Sequence, residues 1–112
     1  MDCTFCKIIS GEILSNKLYE DENFIVIRDI KPLAPVHLLL IYKKHVGRID
    51  ELSRDDMNVM SDAFKIISMM VEKEGIKESG YRVVINNGKS SGQEVSHLHM
   101  HIIGGKKLGG IC

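Results

Sequence analysis

Charge of one sign is not in surplus in this chain: fifteen Lys and Arg stand against fifteen Asp and Glu, a formal net charge of zero. The broad basic field that draws a protein to nucleic acid or to an anionic membrane surface is therefore missing, and any phosphate recognition must be local. Long apolar runs are missing too, none approaching the ~20 residues that span a bilayer. The opening MDCTFCKIIS has no basic region leading into a long apolar stretch, so no signal peptide is expected. Cysteine is scarce, at three residues, and a cytoplasmic setting would keep thiols reduced. Cys3 and Cys6, spaced C-x-x-C, then read as metal ligands or a redox pair rather than a structural disulfide, and Cys112 as an unpaired tail residue. No repeat, low-complexity tract or linker breaks the 112 residues, which predicts one domain over 1–112.

What is present organises itself by period. TFCKIIS, closed by Gly11, predicts one or two helical turns. Short strands are expected at Leu18–Glu20 and Phe24–Arg28, joined by an acidic turn. KPLAPVH holds both prolines and predicts a loop, and the unbroken apolar run Leu38–Tyr42 a strand buried on both faces. Ser53 is placed to cap a long helix that Gly75 can end, with Asp55 and Asp56 in the first turn. On that helix Met57, Met60, Phe64, Ile67 and Val71 form one stripe, and Val59, Ala63, Ile66 and Met70 an adjacent one. Together they exceed what a single small sheet covers, which points to a second copy of the chain on one of them. With strands at Tyr81–Asn86 and over HLHMHII, the class is α+β: about five mostly antiparallel strands, one long helix and a short N-terminal helix.

HLHMHII spends three of the five histidines on alternate positions. Alternate residues of a strand share a face, so His97, His99 and His101 align while Leu98, Met100 and Ile102 turn to the core. A merely polar solvent face would favour Thr, Lys or Glu, so metal binding or catalysis is the better account. Along one strand the outer two imidazoles lie ~13 Å apart, too far for one zinc ion. The three must do different jobs. Just upstream, Asn86, Asn87, Gly88, Gly92 and Gln93 form a loop of small residues whose N–H groups can approach an anion.

At this point the chain resembles the histidine-triad (HIT) family of nucleotide hydrolases and transferases, whose H-x-H-x-H-x-x signature HLHMHII reproduces. GQEVSHLHMHIIGG is similar to the Hint branch, the nucleoside phosphoramidases, and FCKIISGEI, FIVIRDIKPLAPVHLLLIYKKH and EGIKESGYRVVINNG follow in family order. The resemblance implies a HIT-like fold and cleavage of purine nucleoside 5′-phosphoramidates, or related nucleotidyl esters, to the monophosphate. It casts His99 as the nucleophile that carries the nucleotidyl group, with His101 as donor and proton shuttle and His37 near the α-phosphate. It gives Asp29 the ribose hydroxyls, Ile30 the base, and Asn86, Gly92, Gln93, Glu94 and Val95 the phosphate-contacting segment. Glu94 would offer its N–H rather than a carboxylate that repels phosphate.

Zinc-bearing bacterial and archaeal relatives pair C-x-x-C with a histidine after the central strand and with the first histidine of the triad. Here those are His45 and His97, completing a structural Cys3, Cys6, His45, His97 site, with no cofactor required for the chemistry. A thioredoxin-like role for C-x-x-C lacks its βαβ context. The resemblance also implies a homodimer and a small purine nucleotide as partner, with neither nucleic acid nor membrane. Two other functions stand beside it: dinucleoside polyphosphate hydrolysis, as in the Fhit branch, and a non-catalytic, zinc-stabilised nucleotide-binding module. The GG that follows the triad favours the Hint branch.

Overall fold

Residues 3–111 are described by a computed structural model, so Cys112 lies outside the described residues. Along the chain run α1 (Thr4–Ser10), β1 (Lys17–Glu20), β2 (Phe24–Arg28), β3 (Val36–Tyr42), α2 (Arg54–Lys73), β4 (Tyr81–Val84) and β5 (His99–Gly104). Single 3-10 turns occupy Ile49–Glu51 and Lys89–Ser91. The strands form one sheet in the order β1-β2-β3-β5-β4, and every neighbouring pair is antiparallel.

β3 sits at the centre and feeds both faces. Leu38, Leu40 and Tyr42 join Phe24, Val26, Met100 and Ile102 in the core beneath α2, while Leu39 and Ile41 join Ile25 and Ile27 beneath α1. That is why the run reads as continuously apolar. The long helix begins where expected: the Ser53 hydroxyl accepts from the Asp56 N–H (3.1 Å), and the Asp56 carboxylate accepts from the Ser53 N–H (3.0 Å). Asp56 also accepts from the Tyr42 hydroxyl (2.7 Å), tying the helix start to the end of β3. α2 buries Ala63, Ile66, Ile67, Met70 and Val71 on the sheet. Met57 and Phe64, from the first stripe, remain 56% and 66% exposed in the single chain. No helix among the described residues is long and apolar enough to cross a membrane.

Among the described residues the one helix on the opposite face is α1, seven residues long, with Val95 packed beside it. A helix this short does not persist alone in water, so its seat on the sheet is what keeps it folded. Phe5 and Ile8 supply that seat, and Gly11 closes the helix at φ 85°, where its N–H reaches the Ile8 carbonyl (3.2 Å).

Three boundaries differ from expectation. Val36 and His37 belong to β3 rather than to a loop, because Pro35 is the last residue unable to donate and the chain pairs with β5 from Val36 onward. β4 ends at Val84 instead of running to Asn86. Beyond it, the Ile49 N–H donates to Asn87 Oδ1 (2.8 Å) and the Gln93 amide donates to the Gly47 carbonyl (2.8 Å), drawing the loop toward the β3–α2 connection. β5 begins at His99, so His97 and Leu98 precede the strand. Their alternation nonetheless persists: Leu98 enters the core under α2, and His97 is buried on the α1 side.

Candidate functional site

Four side chains from three parts of the chain meet at the start of α1. Cys3 Sγ lies 3.2 Å from His97 Nδ1, Cys6 Sγ lies 3.2 Å from His45 Nδ1 and 3.6 Å from His97 Nδ1, and the two Nδ1 atoms are 3.1 Å apart. Cys3 also caps α1, its sulfur accepting from the Cys6 N–H (3.3 Å). The His97 ring is fixed from behind, with Nε2–H donating to the Tyr42 carbonyl (2.5 Å). A neutral ring bonded that way presents a lone pair at Nδ1. Tetrahedral zinc with bonds of roughly 2.0–2.3 Å to N and S would set donor separations of about 3.3–3.8 Å. The observed spacings of 3.1–3.6 Å fit that set.

A second group lies farther along the same strand face. His99 is buried, and its Nδ1–H donates to the His97 carbonyl (2.6 Å). A carbonyl only accepts, so the neutral ring must keep its lone pair at Nε2. His37 is oriented in the opposite sense: the Leu33 N–H donates to its Nδ1 (3.0 Å), which places the ring hydrogen on Nε2. That hydrogen faces His101 Nδ1 at 2.9 Å and Asp29 Oδ2 at 3.3 Å. His101 therefore accepts at Nδ1 and carries its own hydrogen at Nε2. The His99 and His101 rings adjoin, with centroids 5.2 Å apart.

Burial pushes His37, His99 and His101 below the usual imidazole range, partly offset in each by the charge of Asp29. All three are accordingly neutral at pH 7, as these tautomers require. Asp29, His37 and His101 also bring their donor atoms within 4.8 Å of one another. They do not suit a metal, because His37 Nε2 bears a hydrogen that the Leu33 N–H prevents from moving to Nδ1.

Asp29 holds its own turn, accepting from the Lys31 N–H through Oδ1 (2.8 Å). Next to it Ile30 stands 92% exposed, an aliphatic side chain with its surface available. Val95 is half-buried against the α1 face, Glu94 is exposed, and Gly92 adopts φ 93°, which a side chain would strain. Asn86 is half-buried. Gln93 is placed otherwise. Its amide oxygen accepts from the Gly88 N–H (2.7 Å) and its amide nitrogen donates to Gly47, so it stitches two loops together. It lines a cavity of about 780 Å³ with Lys44, His45, Arg48 and Lys89, apart from Asp29, His37, His99 and His101.

Several contributors carry no sequence signal, namely the Leu33 N–H and the carbonyls of Tyr42 and His97. Phe5 is another. It is buried on α1 and meets His97 edge-on at 5.9 Å and His99 edge-on at 4.8 Å. Lying between the two cysteines, it could have been suspected from its place in C-x-x-C.

The family model described as HIT domain matches residues 10–108. The chain belongs to the HIT family. This HIT chain is 52% identical to an uncharacterized HIT-like protein of Chlamydia muridarum over 112 residues, covering all of this chain and 88% of the relative. It is 38% identical over 105 residues to the purine nucleoside phosphoramidase of Escherichia coli, covering 94% of this chain and 88% of that enzyme. Among solved structures, a histidine triad protein from Clostridium difficile superposes with a TM-score of 0.93 at 42% identity, covering 98% and 96% of the two chains. A HIT family hydrolase from Legionella pneumophila gives 0.90 at 42% identity, covering 95% of each. The HIT fold thus accounts for the antiparallel sheet with one long and one short helix.

Proposed function

We propose that this chain hydrolyses purine nucleoside 5′-phosphoramidates, or related nucleotidyl esters, to the nucleoside monophosphate through a nucleotidyl-histidine intermediate on His99. The observation that carries the reading is the pair of opposed tautomers: a lone pair at His99 Nε2 beside an N–H at His101 Nε2. His99 attacks the α-phosphorus through that lone pair while its Nδ1–H, held on the His97 carbonyl, spreads the developing positive charge. The P–N bond breaks with its electron pair left on the amine, which gains a proton from solvent by way of His101. Water then attacks phosphorus, the P–Nε2 bond breaks with its pair returning to the ring, and the proton of that water leaves past His101. His37, fixed by Leu33, holds His101 in the donor tautomer.

Asp29 and Ile30 are assigned to the ribose and the base, and Asn86, Gly92, Glu94 and Val95 to the phosphate-contacting segment. Gln93 acts there by shaping the loop. Cys3, Cys6, His45 and His97 would hold a structural zinc, which when bound ties α1 to the strand end. Support for the substrate class comes from the Escherichia coli relative, whose name is that activity, at 38% identity. The chain is assigned to the cytoplasm, where its thiols stay reduced, and to a homodimer. The uncovered Met57 and Phe64 on α2 and the exposed Tyr81 and Val83 on the edge strand β4 support the latter.

The deciding experiment is turnover of adenosine phosphoramidate by His99→Ala. Loss of hydrolysis with the fold intact is expected, and retained turnover removes His99 from the role. Diadenosine triphosphate as a competing substrate separates the Fhit-type activity. Nucleotide binding without a trapped nucleotidyl-enzyme would indicate the non-catalytic module.

A further inference from the structure

The metal-ligand group and the reacting group share two physical connections, one through a ligand residue's main chain and one through a residue with no ligand role of its own. One is the main chain of His97, whose side chain offers Nδ1 to the cluster while its carbonyl accepts from His99 Nδ1–H (2.6 Å). The other is Phe5, flanked in sequence by Cys3 and Cys6, whose ring packs T-shaped on His99 at a centroid distance of 4.8 Å and an interplanar angle of 79°. Both connections run through α1 and the strand end, and the cluster pins α1 at its first turn.

We infer that Phe5 is a positioning residue for His99, and that an ion on Cys3, Cys6, His45 and His97 sets the orientation of the His99 ring through Phe5 and the His97 carbonyl. The inference rests on the proposed nucleophilic role of His99 for its catalytic consequence, though not for its mechanical one.

With no cation among them, both thiols and His45 Nδ1 compete at 3.1–3.6 Å for the one lone pair at His97 Nδ1. Removing the ion therefore leaves the four side chains without a common anchor. A seven-residue helix has little independent stability with which to resist, and it shifts on Ile25, Ile27, Leu39 and Ile41. The T-shaped contact of Phe5 with His99 is then lost, and the His99 ring is free to turn away from the His97 carbonyl. Asp29 and Ile30 lie on the β2–β3 connection, outside this chain of contacts, so nucleotide affinity does not follow. The expected signature is a fall in kcat with KM held.

His45 is exposed and lines the 780 Å³ cavity, which gives a chelator a route to the cluster without unfolding the chain. The test uses the full chain labelled with 15N-histidine, loaded with zinc, stripped by chelator, and as zinc-loaded Phe5→Leu. Leucine keeps the apolar seat of α1 but has no aromatic ring. In the loaded wild type the His99 imidazole resonances should report a single Nδ1–H tautomer. Stripping should shift or broaden them, and Phe5→Leu should do so with zinc still bound. Loss of the aromatic contact is worth about two- to tenfold in kcat, with KM within twofold.

Identical His99 resonances in all three samples would overturn the inference, as would a Phe5→Leu variant with unchanged kcat. If stripping unfolds the chain, the Phe5→Leu arm decides alone. Should His99→Ala retain activity, the nucleophile assignment fails on that measurement, while the resonances still report whether the ion orients the ring.

Discussion

Two constellations grow from the same stretch of chain, and they use histidine in opposite ways. At the start of α1, His97 turns a lone pair at Nδ1 toward His45 Nδ1, 3.1 Å away, since it spends its N–H on the Tyr42 carbonyl. At the other end, His37 and His101 bring nitrogens to 2.9 Å as donor and acceptor, since the Leu33 N–H occupies His37 Nδ1. Residue type and spacing are alike. The group behind each ring decides between them: a carbonyl behind it turns a lone pair forward, whereas an N–H behind it turns a hydrogen forward.

That contrast can be broken from the catalytic side most severely. His101→Ala should lower kcat for adenosine phosphoramidate by roughly 10²–10⁴-fold, while zinc content measured on the same preparation stays at one per chain. An equal loss of zinc would show that the two groups are one unit. From the metal side, Cys6→Ser should weaken zinc binding on the order of a hundredfold, by removing one of four ligands, and a competition titration would read it. An unchanged affinity would exclude Cys6 from the set.

A finer probe is Leu33→Pro, which deletes the N–H that holds His37, together with an exposed leucine side chain and some backbone freedom beside Pro32. The expected kcat loss is a few-fold to about tenfold, with zinc affinity unchanged, and no kinetic effect would dismiss the tautomer chain. The gentlest test is pH. Because burial lowers the protonation of His37 and His101 in the ligand-free chain, the acid limb of kcat/KM should fall below the ordinary imidazole value of about 6.5. Their protonation favours the unfolded chain. Stability contributed by these rings is therefore full above that value and declines as pH falls from it toward their lower native values. A limb at or above 6.5 would mean that they are not buried as described.

The period of two carried much of this from the sequence alone. Alternation in HLHMHII put His99 and His101 on one face, and the unbroken run Leu38–Tyr42 announced a strand buried on both sides. Ser53 announced the start of α2 through its cap. Tertiary partners were not legible. Pro35 suggested a loop through His37, but the pairing of Val36 with Gly104 and of His37 with Ile103 continues the strand to the proline itself. Nor did the sequence disclose that the Gln93 amide bonds to Gly47 and Gly88, a partnership across 46 residues in the first case. The ring tautomers depend on main-chain groups that any residue type supplies, and so leave no mark in composition.

One feature of the sheet bears on how the molecule tolerates change. Leu39 opposes His101 and Ile41 opposes His99 across β3 and β5. Inserting or deleting a single residue between Gly92 and His99 threatens to slide that alignment by one, which would drive two imidazoles among Phe24, Val26 and Met70 and turn Met100 and Ile102 outward. The out-of-frame pairing carries its own penalty in unsatisfied ring nitrogens, so length variants of this hairpin should fail to accumulate as folded protein rather than survive as inactive enzyme.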